Sequence, residues 1–122
     1  MIRPLLAAAG AALAIAVVAS VPASAATPQL IGTVGPGLKI TLTLNGKKVT
    51  SVKAGSYLLV VHDKSSIHSF VFEKRKGGTF EKTVTSVKFK CTATLKVKLT
   101  AGKYEYYCRP HESTMKGEFT VP

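Results

Sequence analysis

Apolar and polar residues alternate along most of this chain, and the alternation is broken by turn-forming pairs. Leu38–Leu44 (LKITLTL) places its four apolar residues two apart and ends at Asn45-Gly46, a pair suited to a tight hairpin turn. A second turn is predicted at Ala54-Gly55, followed by the strongly apolar run SYLLVVHD, Ser56–Asp63. After Lys64-Ser65-Ser66, the segment IHSFVFEK sets Ile67, Ser69, Val71 and Glu73 on one side and His68, Phe70 and Phe72 on the other. The second set reads as the core face, which puts His68 at the edge of the packed interior.

Beyond the charged, glycine-ended loop Lys74–Gly78, a less regular strand is predicted in TVTSVKFK. A cleaner one follows, in which Cys91, Ala93, Leu95, Val97 and Leu99 point one way and threonines and lysines the other. Thr100–Lys103 turns the chain, KYEYYC presents Tyr104, Tyr106 and Cys108 inward, and GEFTV makes a last short strand. No helical period outlasts one turn. Seven or eight short strands with turns every 8–12 residues predict an all-β fold, a two-sheet antiparallel Greek-key sandwich.

The N-terminus reads differently. Residues 1–25 carry one positive charge at Arg3, an unbroken apolar run from Leu5 to Ala19, and Ala23-Ser24-Ala25 before Ala26. This is the layout of a secretory signal peptide cleaved after Ala25. A retained membrane anchor is the rival reading, since about 18 apolar residues can span a bilayer; the small-residue motif downstream favours cleavage. The remaining domain, residues 26–122, is one domain with a single modest core, exported to a periplasm or beyond the cell.

That domain holds all six acidic residues and every basic residue but Arg3, for a formal charge of +10. In a cytoplasmic protein this surplus would suggest nucleic acid; export argues against it. The partners it predicts are acidic proteins and, through weak electrostatic contact, an anionic envelope surface of lipid or wall polymer. Fourteen lysines scattered along the strands also suit solvated faces and guarded sheet edges. Nothing in the pattern calls for more than a monomer.

The candidate chemistry lies in YYCRPHESTMKGEFTVP, Tyr106–Pro122. Alone, C-x2-H-x3-M is a weak motif. Its placement strengthens it, because Cys108 ends an inward-facing strand position and Pro110 opens a short loop that can bring thiolate, imidazole and thioether to one point. A thiolate and two imidazoles with a weak axial thioether form the ligand set of an electron-transfer copper site. His68, some 40 residues upstream on another strand, supplies the second imidazole. His62 reads as structural, and Glu112 is an alternative oxygen ligand beside His111. With three histidines in the chain there are too few for a multicopper oxidase, and no nucleophile or acid–base set is present, so the chain is not read as an enzyme.

A disulfide is the competing use of two cysteines in an exported chain. If Thr100–Lys103 is a hairpin turn, Leu99 faces Tyr104 and Cys108 faces Leu95. Cys91 then lies four residues further on, about 13 Å away at about 3.3 Å per residue. A disulfide spans at most about 7 Å between Cα atoms. The register therefore favours two free thiols, with Cys91 a small buried apolar residue, although a bulge or a slipped turn would shorten the gap.

IHSFVFE, a strand, and then YEYYCRPHESTMKGEFTV resemble the mononuclear blue (type 1) copper proteins, the plastocyanin-like cupredoxins. The resemblance runs from Gly35-Pro36-Gly37 to Val121 and implies one type 1 copper ion held by His68, Cys108, His111 and the axial Met115. Relatives often carry Asn after the first histidine, where it fastens the ligand loop; here the residue is Ser69. The implied function is an exported carrier of single electrons between redox protein partners. An envelope copper-binding or copper-delivery protein would use the same ligands.

Overall fold

A computed structural model describes residues 9–18 and 26–122. The expected signal peptide straddles that boundary. Residues 1–8 and 19–25, which hold Arg3 and Ala23-Ser24-Ala25, lie outside the described residues, and residues 9–18 have no regular secondary structure. Among the described residues, no helix is long and apolar enough to cross a membrane.

The described chain forms nine strands and one short 3-10 turn. Sheet A joins β1 (Gln29–Val34), β2 (Ile40–Leu44), β3 (Lys47–Lys48), β4 (Gly55–Asp63) and β7 (Thr92–Leu99) in the order β3-β2-β1-β4-β7. Sheet B joins β5 (Phe70–Lys76), β6 (Glu81–Thr85), β8 (Gly102–Tyr107) and β9 (Lys116–Val121) in the order β6-β5-β8-β9. The two-sheet sandwich is as expected and antiparallel but for β1, which runs parallel to β4. The Asn45-Gly46 turn is present, with both residues at positive φ.

Three local expectations need correction. TVTSVKFK is a strand only to Thr85; from Ser86 it is an exposed loop, its alternation lost where no neighbouring strand remains to pair with. Thr100–Lys103 is not a hairpin turn: β7 pairs with β4 in sheet A and β8 with β5 and β9 in sheet B, so the link passes between sheets. Cys91 is exposed, not buried. Along β7, Leu99 and Val97 are buried, Leu95 and Ala93 half-buried, and Cys91 clears the edge of the facing sheet.

The core is two unlike layers. Sheet A contributes mostly aliphatic side chains, among them Leu30, Val34, Leu42, Leu59, Val61 and Leu99. Sheet B contributes aromatic rings. Phe70 stacks on Tyr106 with an interplanar angle of 2°, and Phe72, Tyr104 and Phe119 form a second near-parallel group. Each fully buried ring contributes about 1.5–3 kcal/mol. Gly32 of β1 leaves the space that the Phe70 ring fills; a Cβ there would sit 2.9 Å from Phe70 Cε2. Phe70 begins β5 two residues after His68, so this contact anchors the start of the candidate site.

The outer face of sheet B carries an unusual row. Glu81, Glu73, Glu105 and Glu118 stand directly opposite one another across β6, β5, β8 and β9. They are four of the chain's six acidic residues, and like charges in such pairs repel. Glu105 is the most constrained. It is fully buried, Arg75 Nε lies 2.9 Å from its Oε2, and neither oxygen receives an aligned hydrogen bond. Burial raises its pKa above the usual carboxylate range, against the opposing pull of Arg75.

A raised folded-state pKa means the native state holds this proton more tightly than the unfolded chain. The associated stability is complete at low pH and is lost as pH rises through the folded-state pKa. Glu105→Gln is therefore expected to raise the melting temperature by a few degrees at pH 7. The gain should shrink as pH falls below the carboxylate range, as followed by thermal unfolding across pH.

Candidate metal centre

Four loops meet at one end of the sandwich: Gly35–Lys39, Lys64–Ser69, Ser86–Cys91 and Cys108–Met115. His68 sits at the end of the second loop, two residues before β5, and is 1% exposed. Cys108 follows β8 directly, still in extended conformation and fully buried. Its inward aim continues the alternation of Tyr104 and Tyr106. Arg109–His111 then form a 3-10 turn with Pro110 in its first turn, and His111 is half-buried. Met115 precedes β9 and is fully buried among core residues.

The Cys108–Met115 loop is closed on itself by the backbone. Cys108 N–H donates to Met115 C=O at 2.9 Å, which extends the β8–β9 pairing one step past Tyr107 and Lys116. His111 N–H donates to Cys108 C=O at 3.0 Å, and Met115 N–H to His111 C=O at 2.8 Å. The loop is thus a folded turn in which Cys108 and His111 are held three residues apart.

These contacts bring three electron-rich atoms together. His68 Nδ1 and His111 Nδ1 are 3.1 Å apart, and Cys108 Sγ lies 3.7 Å from the first and 3.6 Å from the second. The imidazole rings meet edge to face at 78°. A point equidistant from the three atoms lies about 2 Å from each. That matches metal–imidazole bonds of about 2.0–2.1 Å and is slightly short of metal–thiolate bonds of about 2.3 Å. Among the described residues this is the one group of three or more His, Cys, Asp or Glu side chains converging in this way. The donor set and its spacing fit a metal ion, and the mix of one thiolate with two imidazoles is the choice suited to copper.

Two contacts hold His68 and Cys108 in relation to each other. Ser69 N–H points at Cys108 Sγ at 3.4 Å, and the Ser69 hydroxyl accepts a hydrogen bond from Arg109 N–H at 3.0 Å. The serine that stands where relatives often carry Asn therefore bridges the two ligand loops. Arg109 is held in turn: its Nη2 lies 3.0 Å from Glu81 Oε1 on β6, and the Tyr107 hydroxyl donates to the same oxygen at 2.8 Å. The Tyr107 hydroxyl is pushed up to about 12 by burial and by its bond to Glu81. The Glu81 carboxyl is lowered first by Tyr107 and then by Arg109.

All four expected ligand residues lie at this end, and the two rival oxygen and imidazole donors do not join them. Glu112 is exposed and outside the cluster. His62 lies on the outer face of sheet A with Nδ1 3.0 Å from Thr92 Oγ1. Both cysteines are free. The reason differs from the one the sequence suggested, since Cys91 and Cys108 flank strands of different sheets, β7 and β8, and Cys91 faces solvent. Sequence reasoning did not find the Ser69 amide, the Glu81–Arg109–Tyr107 clamp or Gly32. A backbone donor has no sequence signature, and Glu81 lies 28 residues from Arg109.

Comparison with known proteins agrees with this geometry. Residues 38–122 match the family model for copper binding proteins of the plastocyanin/azurin family. No curated protein sequence gives a significant match. Among solved structures, a reduced amicyanin variant is 20% identical, with a TM-score of 0.54 over 82% of this chain and 88% of its own. Reduced rusticyanin is 20% identical, with a TM-score of 0.53 over 77% of this chain and 78% of its own. At such identities these structures speak for the fold, and the family match carries the rest: the chain belongs to the copper binding proteins of the plastocyanin/azurin family.

Proposed function

We propose that this protein is an exported carrier of single electrons, with one type 1 copper ion that His68, Cys108 and His111 would hold together with Met115. The observation that carries the reading is the triangle of Sγ and two Nδ1 atoms, already at metal-binding spacing and held by hydrogen bonds that do not involve a metal. Copper in such a set supplies a one-electron Cu(I)/Cu(II) couple to which soft sulfur and imidazole are both acceptable ligands.

The chain's own residues do the rest. Ser69 N–H directed at Cys108 Sγ stabilises negative charge on sulfur and so tunes the couple. The Ser69–Arg109 bond ties the His68 loop to the Cys108 loop, so little has to move when charge changes. His111 is the half-buried member of the set and offers the way out to a partner. The exposed apolar residues Leu38, Ile67, Val87 and Phe89 all lie on loops of this same end. Lys39, Lys64, Lys88, Lys90 and Arg109 are exposed on those loops too. An apolar contact patch with a cationic rim suits brief docking to an acidic redox partner. Delivery of copper to another protein is the weaker reading, because a buried, cross-braced ligand set favours retention.

An absorption spectrum of the Cu(II)-loaded chain tests the site. An intense visible thiolate-to-copper band is expected, absent in Cys108→Ser, with a reversible one-electron couple. A folded, loaded protein without that band rules the type 1 assignment out, and rapid loss of Cu(I) to a mild chelator would favour delivery. Ser69→Ala leaves the part-buried Arg109 N–H without its acceptor and is expected to lower the stability of the metal-free chain by about 0.5–1.5 kcal/mol. It should also broaden the visible band, while Ser69→Thr, which keeps the hydroxyl, should retain both properties. Export predicts a mature protein beginning at Ala26, which intact mass measurement of the secreted form checks directly.

A further inference from the structure

At the opposite end of the sandwich, β5 turns a lysine inward. Lys74 follows Phe70 and Phe72 on the core face and is only 8% exposed. Its Nζ donates to Thr100 Oγ1 at 2.5 Å and lies 5.4 Å from the centre of the Tyr104 ring. An ammonium has three donors, and this one has a single hydrogen-bond acceptor. Among the described residues the ion pairs are Arg75 with Glu73, Arg75 with Glu105 and Arg109 with Glu81, so Lys74 has no carboxylate opposite it. A buried charge without a counter-charge is costly, and a methionine of similar length would fill the same space without that penalty.

The surroundings are shaped for this side chain. Three glycines flank its stem. A Cβ at Gly78 would stand 3.0 Å from Lys74 Cδ, and one at Gly102 would stand 2.7 Å from Lys74 Cε. At Gly77 the added atom would stand 3.3 Å from Cε. The ammonium reaches the wall of a cavity of about 320 Å³ that both Lys74 and Thr100 line. The remaining lining is Phe72, Phe80, Leu95, Val97, Leu99 and Tyr104, with the exposed Lys96 and Lys98 of β7 between them. That volume is at the small end of the range for small-molecule sites, about 300–1,000 Å³. The cavity opens where the edge strand β7 of sheet A faces sheet B.

We propose that this cavity is a second binding site, for a small monocarboxylate with a compact apolar body, whose carboxylate pairs with Lys74 Nζ and Thr100. Of the three lysines that line it, Lys74 alone is buried, Lys96 and Lys98 being exposed on β7, so one carboxylate matches the buried charge. The site lies six residues along β5 from His68, about 20 Å at about 3.3 Å per residue, and the proposal does not rest on the metal.

Titration of the purified full chain with octanoate, 1-octanol and octylammonium tests it, read by calorimetry and by amide chemical shifts. Octanoate is expected to bind saturably at one site, below its micellar range, with the largest shifts at Lys74, Leu99 and Thr100. Octylammonium should not bind. Lys74→Met should weaken octanoate at least about tenfold, about 1.4 kcal/mol, and leave 1-octanol unchanged. Leu95→Trp, at a half-buried position in the same wall, should block octanoate while sparing the lysine, which keeps the test open if Lys74→Met does not fold. The proposal is overturned by absence of saturable octanoate binding, by equal binding of octylammonium, or by shifts confined to other parts of the chain. Undiminished octanoate affinity in either folded variant overturns it as well.

Discussion

Strand register in sheet B is the constraint on which the rest of this structure depends. β5, β8 and β9 are contiguous, and their inward rows contain Phe70 and Phe72, Tyr104 and Tyr106, and Phe119. Extended by one more step of two residues, the first two rows reach His68 and Cys108, and the third reaches Met115 through Gly117. The candidate ligands are therefore the last inward positions of the aromatic core. A slip of one residue in any pair would turn Cys108 or Met115 to the outer face together with every ring on its strand. The aromatic layer, with each ring worth kilocalories of burial, thus enforces the placement of the sulfur atoms. The placement of the candidate ligands is fixed by the same energy that folds the domain.

That arrangement keeps three candidate ligand atoms within 3.1–3.7 Å of one another. Local backbone bonds within Cys108–Met115 and the Ser69 bridge between loops resist their separation. Each such bond contributes only about 0.5–1.5 kcal/mol net, so no single one suffices. Together they join elements that the sandwich already fixes, and the Glu81–Arg109–Tyr107 clamp extends the bracing out to the edge strand β6.

Much of this was legible in the chain. The period-two alternation gave the strands and their inward faces, and with them the inward aim of His68 and Cys108, because side-chain direction in a strand is a local property. Pairing is not local. The link Thr100–Ala101 looks like a hairpin turn, yet it carries the chain across the sandwich, and no residue in it distinguishes the two outcomes. Gln29–Val34 was not singled out as a strand because Gly32 interrupts its apolar pattern, and the reason for that glycine is a ring 38 residues away. Cys91 kept the alternation of β7 while leaving the cover of the facing sheet, so its direction was readable and its exposure was not. Even the acidic row on sheet B follows from register alone: Glu73 and Glu118, 45 residues apart, share a row with Glu81 and Glu105 only because Glu73 pairs with Glu81 and Glu105, and Glu105 with Glu118.

The inward row of β5 begins with an imidazole at His68 and ends with an ammonium at Lys74, and the rings between them divide into two groups. Phe70 stacks with Tyr106 beneath the metal-binding end, whereas Phe72 stacks with Tyr104 and Phe119 toward the lysine end. A disturbance near Lys74 would reach Phe72, Tyr104 and Phe119 first. To reach His68 it would also have to move Phe70, whose ring fills the space left at Gly32 of the opposite sheet. Close packing transmits strain, but here it would have to pass through a ring braced from both sheets. The rigidity required at one end is thus compatible with a cavity and a buried charge at the other, and this separation allows one small sandwich to carry both.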